Sequence, residues 1–121
     1  MNDRLLTREE FKKQVFAITK GKCCVPGCNC DAVDAHHIMD RKLWNDGGYY
    51  LSNGAALCSK HHLDAEQGKI TPKQCLDYMN IKLTDIKVPD VIKYRYKDKI
   101  INFKDFYTTL MLDALINKWG E

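Results

Sequence analysis

With 121 residues, 45% of them hydrophobic and 29% charged, the chain has the balance of one ordinary globular domain and not of a disordered polypeptide. No run of about 18 apolar residues is available to span a membrane. The N-terminus, MNDRLLTREEFKK, lacks the apolar stretch of a secretory signal, so a cytoplasmic protein is expected. A formal charge of +3 permits a polyanionic partner without demanding one.

The first predicted element is a helix over residues 7–20. Thr7 and Glu10 form a capping box, Phe11, Val15, Phe16 and Ile18 supply an apolar face, and Gly21 stops the helix. Residues 22–68 differ in kind: they hold five of the six cysteines, all four histidines and five of the seven glycines. Residues 23–68 carry three basic against six acidic side chains, so this stretch is acidic before any cation binds. A short, turn-rich, acidic stretch builds little core of its own and needs another means of support.

Beyond it, Thr71 as cap and Pro72 in the first turn open a second helix over 71–80, on which Cys75 is expected as a buried thiol beside Leu76 and Met79. Residues 81–92 form a connector containing Pro89. Residues 91–97 alternate as a strand, and KIINF either pairs with it across a turn at Lys97–Lys99 or simply leads on. A last helix is expected over 103–118. The expectation for the whole is a small α+β domain over 1–121: an N-terminal helix in 1–22, a metal-bearing core in 23–68, and a strand and helix extension in 69–121.

Clustered cysteines in a chain without an export signal are read first as metal ligands. Cys24 and Cys28 flank Val-Pro-Gly, a turn that can aim both sulfurs at one ion. Cys58 and His61 lie three apart at a strand-to-helix junction. Together they offer a Cys₃His set suited to structural Zn²⁺, in which Cys23 can replace Cys24 and Cys30 can replace Cys28.

A second constellation runs AHHI, then Asn53 sixteen residues after His37, then LC-x-x-HH. In this order the parts resemble the HNH endonucleases, the ββα-metal nucleases, in their zinc-stabilised branch. The resemblance covers about residues 23–67, and those relatives usually carry a second Cys where this chain has His61. It implies a two-stranded hairpin followed by a helix around one catalytic metal. It makes His36 and His62 ligands of that metal, His37 the general base, and Asn53 the residue that helps hold the base, either by its ring or by bracing the loop. Glu66, one turn beyond His62, is then placed to complete the metal shell directly or through water. The cation implied is Mg²⁺, or another divalent ion such as Mn²⁺ or Ni²⁺.

Phosphodiester hydrolysis independently asks for such groups: a water made nucleophilic and a cation over the developing charge. An imidazole with a pKa near ~6.5 accepts a proton at physiological pH, provided the same nitrogen is not bound to metal. Adjacent residues on a strand point to opposite faces, so two successive histidines can serve two roles. Arg41 and Lys42 either meet the phosphates beside the cleaved bond or form a solvated pair. Trp44, Tyr49 and Tyr50 are expected to pack within their loop rather than to stack on bases.

The basic residues lie outside the acidic centre. Lys93, Arg95, Lys97 and Lys99, with Tyr94 and Tyr96 interleaved, make a candidate grip on double-stranded DNA, or else a solvated face. The sequence thus points to a metal-dependent DNA endonuclease. The alternative is a zinc-stabilised nucleic-acid-binding module without catalysis, which gives no reason for His37 and Asn53. A zinc peptidase would want His-Glu-x-x-His on a helix, and none is present.

Overall fold

The structure is a computed structural model and describes residues 4–82, 85–86, 93–96 and 99–102, the last two stretches by their backbone alone. Helix α1 spans Arg8–Ile18, capped by Thr7, whose side chain accepts from Glu10 N while the Glu10 carboxylate accepts from Thr7 N. It ends where the backbone turns left-handed at Lys20 (φ 55°) and Gly21 (φ 80°), and the Gly21 N–H closes back on the Phe16 carbonyl at 2.9 Å. Phe11 and Val15 on its inner face are buried, whereas Ile18 is 44% exposed and lies outside the apolar stripe that the sequence suggested.

Strand β1 (Asp34–His37) pairs antiparallel with β2 (Gly54–Leu57), in the register Asp34↔Leu57, Ala35↔Ala56, His36↔Ala55 and His37↔Gly54. Residues paired across the register share a face. Gly54 and His37 face α1, where His37 stacks on Phe11 and a Cβ at Gly54 would lie 2.9 Å from Phe11 Cζ and closer still to Val15. Glycine is therefore what lets α1 settle on the hairpin. Every residue of β2 is buried, which suits its small, apolar sequence GAAL.

Between the strands the chain makes two short 3₁₀ turns, at Arg41–Leu43 and Leu51–Asn53. Here Leu43, Trp44 and Tyr50 join the core, as the loop-packing expectation had it. Helix α2 (Ser59–Glu66) follows β2 directly, with Cys58 at its N-cap, and packs on both strands. Helix α3 (Pro72–Tyr78) repeats the capping box with Thr71 and Gln74 and buries Cys75 and Leu76.

Strands β3 (Lys93–Tyr96) and β4 (Lys99–Asn102) pair antiparallel, with Tyr96 opposite Lys99. KIIN thus pairs rather than leading on. Lys97 and the helix expected over 103–118 lie outside the described residues. The described chain is a small α+β fold in which three helices accompany the β1–β2 sheet. Among the described residues no helix is long and apolar enough to cross a membrane.

Candidate metal centres

The first centre joins the start of α2 to the loop after α1. Cys23 Sγ and Cys58 Sγ lie 3.4 and 3.3 Å from His61 Nδ1, and Cys28 Sγ lies 3.9 Å from Cys58 Sγ. All four donor atoms fall within 4.8 Å of one another. A tetrahedral zinc site with Zn–S of about 2.3 Å and Zn–N of about 2.0–2.1 Å has edges of roughly 3.8 Å between sulfurs and 3.6 Å between sulfur and nitrogen. The observed spacings match those edges, and the Cys₃His cluster could hold a metal such as zinc.

It is Cys23, not Cys24, that the structure brings to this set. The two residues are held by different neighbours: Cys23 N donates to Cys30 O, and Cys24 N donates to Ala56 O on β2. The Cys24 thiol is not among the four clustered donors, and burial pushes its pKa up to about 12. Burial also raises Cys23, to about 11, so a cation must displace its proton to recruit the sulfur. Cys28 is lowered instead, chiefly by a backbone hydrogen bond at Cys30. Cys30 is exposed and outside the set. A Lys22–Asp31 ion pair of 2.7 Å closes the loop that carries these residues.

The second centre lies on the opposite face of the hairpin from α1. His36 on β1 turns toward α2, where its ring meets His62 edge-on with centroids 5.4 Å apart. Glu66, one helical turn beyond His62, brings Oε1 to 3.2 Å from His62 Nε2 and 3.9 Å from His36 Nδ1. The donor atoms of His36, His62 and Glu66 also lie within 4.8 Å of one another. Burial, followed by the neighbouring His62 charge, drives the His36 pKa down to about 4, so its ring is neutral at physiological pH and has a free lone pair to offer.

His37, next in sequence, points the other way. Its ring lies between Phe11, stacked at 5.1 Å, and Tyr49, edge-on at 5.0 Å. Burial lowers its pKa, partly offset by a hydrogen bond to the Gly47 carbonyl, and Nε2 has no hydrogen-bond partner. His37 belongs to neither ligand set. Yet His37, His36, His62, Glu66, Asp34 and Arg41 all line one open cleft of about 650 Å³.

The Asn53 side chain hydrogen-bonds the loop backbone rather than the His37 ring. Its Oδ1 accepts from Met39 N at 2.9 Å, and its Nδ2 donates to the carbonyls of Met39 and Gly48 at 3.1 and 3.4 Å. Of the two roles open to it, the side chain takes loop bracing: it fixes the exit of β1 to the turn that precedes β2. Asp34 lies outside every ligand set that the sequence suggested. Its Oδ2 lies 3.1 Å from His62 Nε2. The signal was present, since Asp34 and His36 are two apart on one strand and share its face.

Lys93 and Arg95 fall on β3 and Lys99 on β4. Compared with models of known families, with curated proteins and with solved structures, the chain matches none.

Proposed function

We propose that the chain is a metal-dependent endonuclease of the HNH type, hydrolysing phosphodiester bonds in double-stranded DNA, with structural zinc on Cys23, Cys28, Cys58 and His61. The observation that carries the reading is the division of labour between adjacent histidines. His36 joins a ligand set with His62 and Glu66, while His37 stays outside it, borders the same cleft, and keeps a buried ring nitrogen, Nε2, without a hydrogen-bond partner. A divalent ion held by His36, His62 and Glu66, Mg²⁺ or another such as Mn²⁺ or Ni²⁺, would supply positive charge over the phosphoryl oxygens.

The side chains do the rest. His37, kept neutral by burial, accepts a proton from the attacking water. The Phe11 and Tyr49 rings hold its plane, and Asn53 fixes the loop behind it. Arg41, on the wall of the cleft, meets a phosphate oxygen and orients the strand. Lys93, Arg95, Lys97 and Lys99 add a salt-dependent grip on flanking phosphates.

The test is to incubate the purified protein with supercoiled plasmid, with each divalent ion in turn and with EDTA. Conversion to nicked or linear DNA that EDTA abolishes supports the reading. Binding without cleavage of DNA or RNA under every metal would favour the nucleic-acid-binding module instead.

A further inference from the structure

The His62 imidazole is approached at one ring nitrogen by two carboxylates. Glu66 Oε1 reaches Nε2 from one turn ahead on α2 at 3.2 Å, and Asp34 Oδ2 reaches it from β1 at 3.1 Å. A neutral imidazole nitrogen has at most one proton to offer, and two oxygens cannot share it well. A cation beside that nitrogen answers both. With ligand distances of about 2.1 Å, neighbouring donors in an octahedral shell lie roughly 3 Å apart, the separation at which both oxygens stand from the nitrogen.

We propose that the Asp34 carboxylate is itself a ligand of the cation at the His36, His62 and Glu66 site. The inference rests on the reading of that site given above and extends it. Three features of the fold support it. Asp34 and His36 project from the same face of β1, so the strand presents one oxygen and one nitrogen on the side where α2 lies. Asp34 pairs in register with Leu57, immediately before the α2 cap, which sets the helix so that His62 comes back over the strand. The Asp34 side chain is 46% exposed and borders the cleft, so it turns onto an ion without leaving solvent.

The resulting set is two neutral imidazoles and two carboxylates, which balances the charge of a divalent ion. Mixed nitrogen and oxygen donors of this kind suit Mn²⁺, whereas Ni²⁺ is held chiefly by imidazole. Asp34 therefore discriminates between metals by how much each depends on oxygen.

The experiment titrates the zinc-loaded protein with Mn²⁺ and with Ni²⁺ by calorimetry, and records the Mn²⁺ electron paramagnetic resonance spectrum. Wild type, Asp34→Asn and Asp34→Glu are compared, with zinc content and circular dichroism as controls of folding. Asp34→Asn is expected to weaken Mn²⁺ binding at least tenfold, to weaken Ni²⁺ binding less, and to change the Mn²⁺ spectrum. Asp34→Glu, which keeps the carboxylate, should recover part of the Mn²⁺ affinity. Equal losses for both metals that shrink at high salt would make Asp34 a distant charge and overturn its ligation, as would an unchanged spectrum. A wild type that binds neither metal, or a His62→Ala variant that binds both normally, would overturn the whole site and Asp34 with it.

Discussion

His61 and His62, adjacent in α2, serve different centres: His61 Nδ1 lies 3.3 Å from Cys58 Sγ, and His62 Nε2 lies 3.1 Å from Asp34 Oδ2. Consecutive helical positions are about 100° apart around the axis, so one short helix turns one imidazole to each side. No residue of α2 is buried, so little apolar packing fixes this helix apart from what its histidines and cap provide. The two centres are therefore mechanically joined, although they share no ligand.

Loss of the first centre should consequently weaken the second. Cys58→Ser removes a ligand at the α2 cap and is expected to abolish tight zinc binding and to lower affinity for a divalent ion at His36, His62 and Glu66. Competitive titration with a chelating dye checks both. Unchanged second-site affinity in a zinc-free variant would show that the hairpin alone orients His62.

Zinc content should also distinguish neighbouring cysteines. Cys23→Ser is expected to drop the stoichiometry from one zinc per chain and to unfold the loop after α1, because binding there is coupled to folding. Cys24→Ser should keep the zinc and lose only local packing. Atomic emission with a thermal melt reads both effects, and the opposite ranking would reverse the assignment.

That three cysteines and a histidine of residues 23–61 could gather into one group was legible in the chain, and so were both helix caps, because the caps rest on contacts local in sequence. The choice between Cys23 and Cys24 was not. That choice depends on contacts made only in the fold, where Cys24 N donates to Ala56 O on a distant strand and Cys23 N to Cys30 O. Asp34 was legible only in part: its shared face with His36 follows from the strand, but its nearness to His62 exists only once α2 lies over β1. Asn53 was legible as a residue of consequence, but its choice of Met39 and Gly48 over the imidazole follows from the path of the loop.

His37→Ala should leave the affinity of both metal centres nearly unchanged, because His37 ligates neither. Cleavage is expected to fall by roughly 10²–10⁴-fold, the usual worth of a positioned general base. Excess divalent ion should partly restore a His62→Ala variant and should not restore His37→Ala. Single-turnover plasmid cleavage at saturating protein measures this, and wild-type rates in His37→Ala would remove its role as base.

Gly54→Ala tests how closely α1 lies on the hairpin. The added methyl collides with Val15 and Phe11, and overpacking of this kind costs about 1–3 kcal/mol. Phe11 also stacks on His37, so a shifted α1 should lower cleavage as well as the melting temperature. An unchanged melt would mean that the helix retreats freely.

Acid should destabilise the protein through His36 when the second centre is free of metal. Its folded pKa, about 4, is below the ordinary 6.5 of the unfolded chain, so the unfolded state binds the proton first. The stability is complete above about pH 6.5 and is lost as pH falls toward the folded value, amounting to on the order of 3 kcal/mol. Denaturant melts of wild type and His36→Gln across that window should diverge, with the variant losing less. Parallel curves would show that His36 is not kept neutral by the fold.

Asn53 and Gly54 also form an Asn-Gly peptide, the sequence most prone to deamidate when the glycine nitrogen attacks the side-chain carbonyl. Here both partners are occupied: the amide bridges Met39 and Gly48, and the Gly54 N–H donates to Leu51 O. The folded chain thus shelters a bond that ages quickly once the hairpin opens. The accumulation of aspartate and isoaspartate at position 53 in stored protein is a chemical clock for how often β1 and β2 come apart.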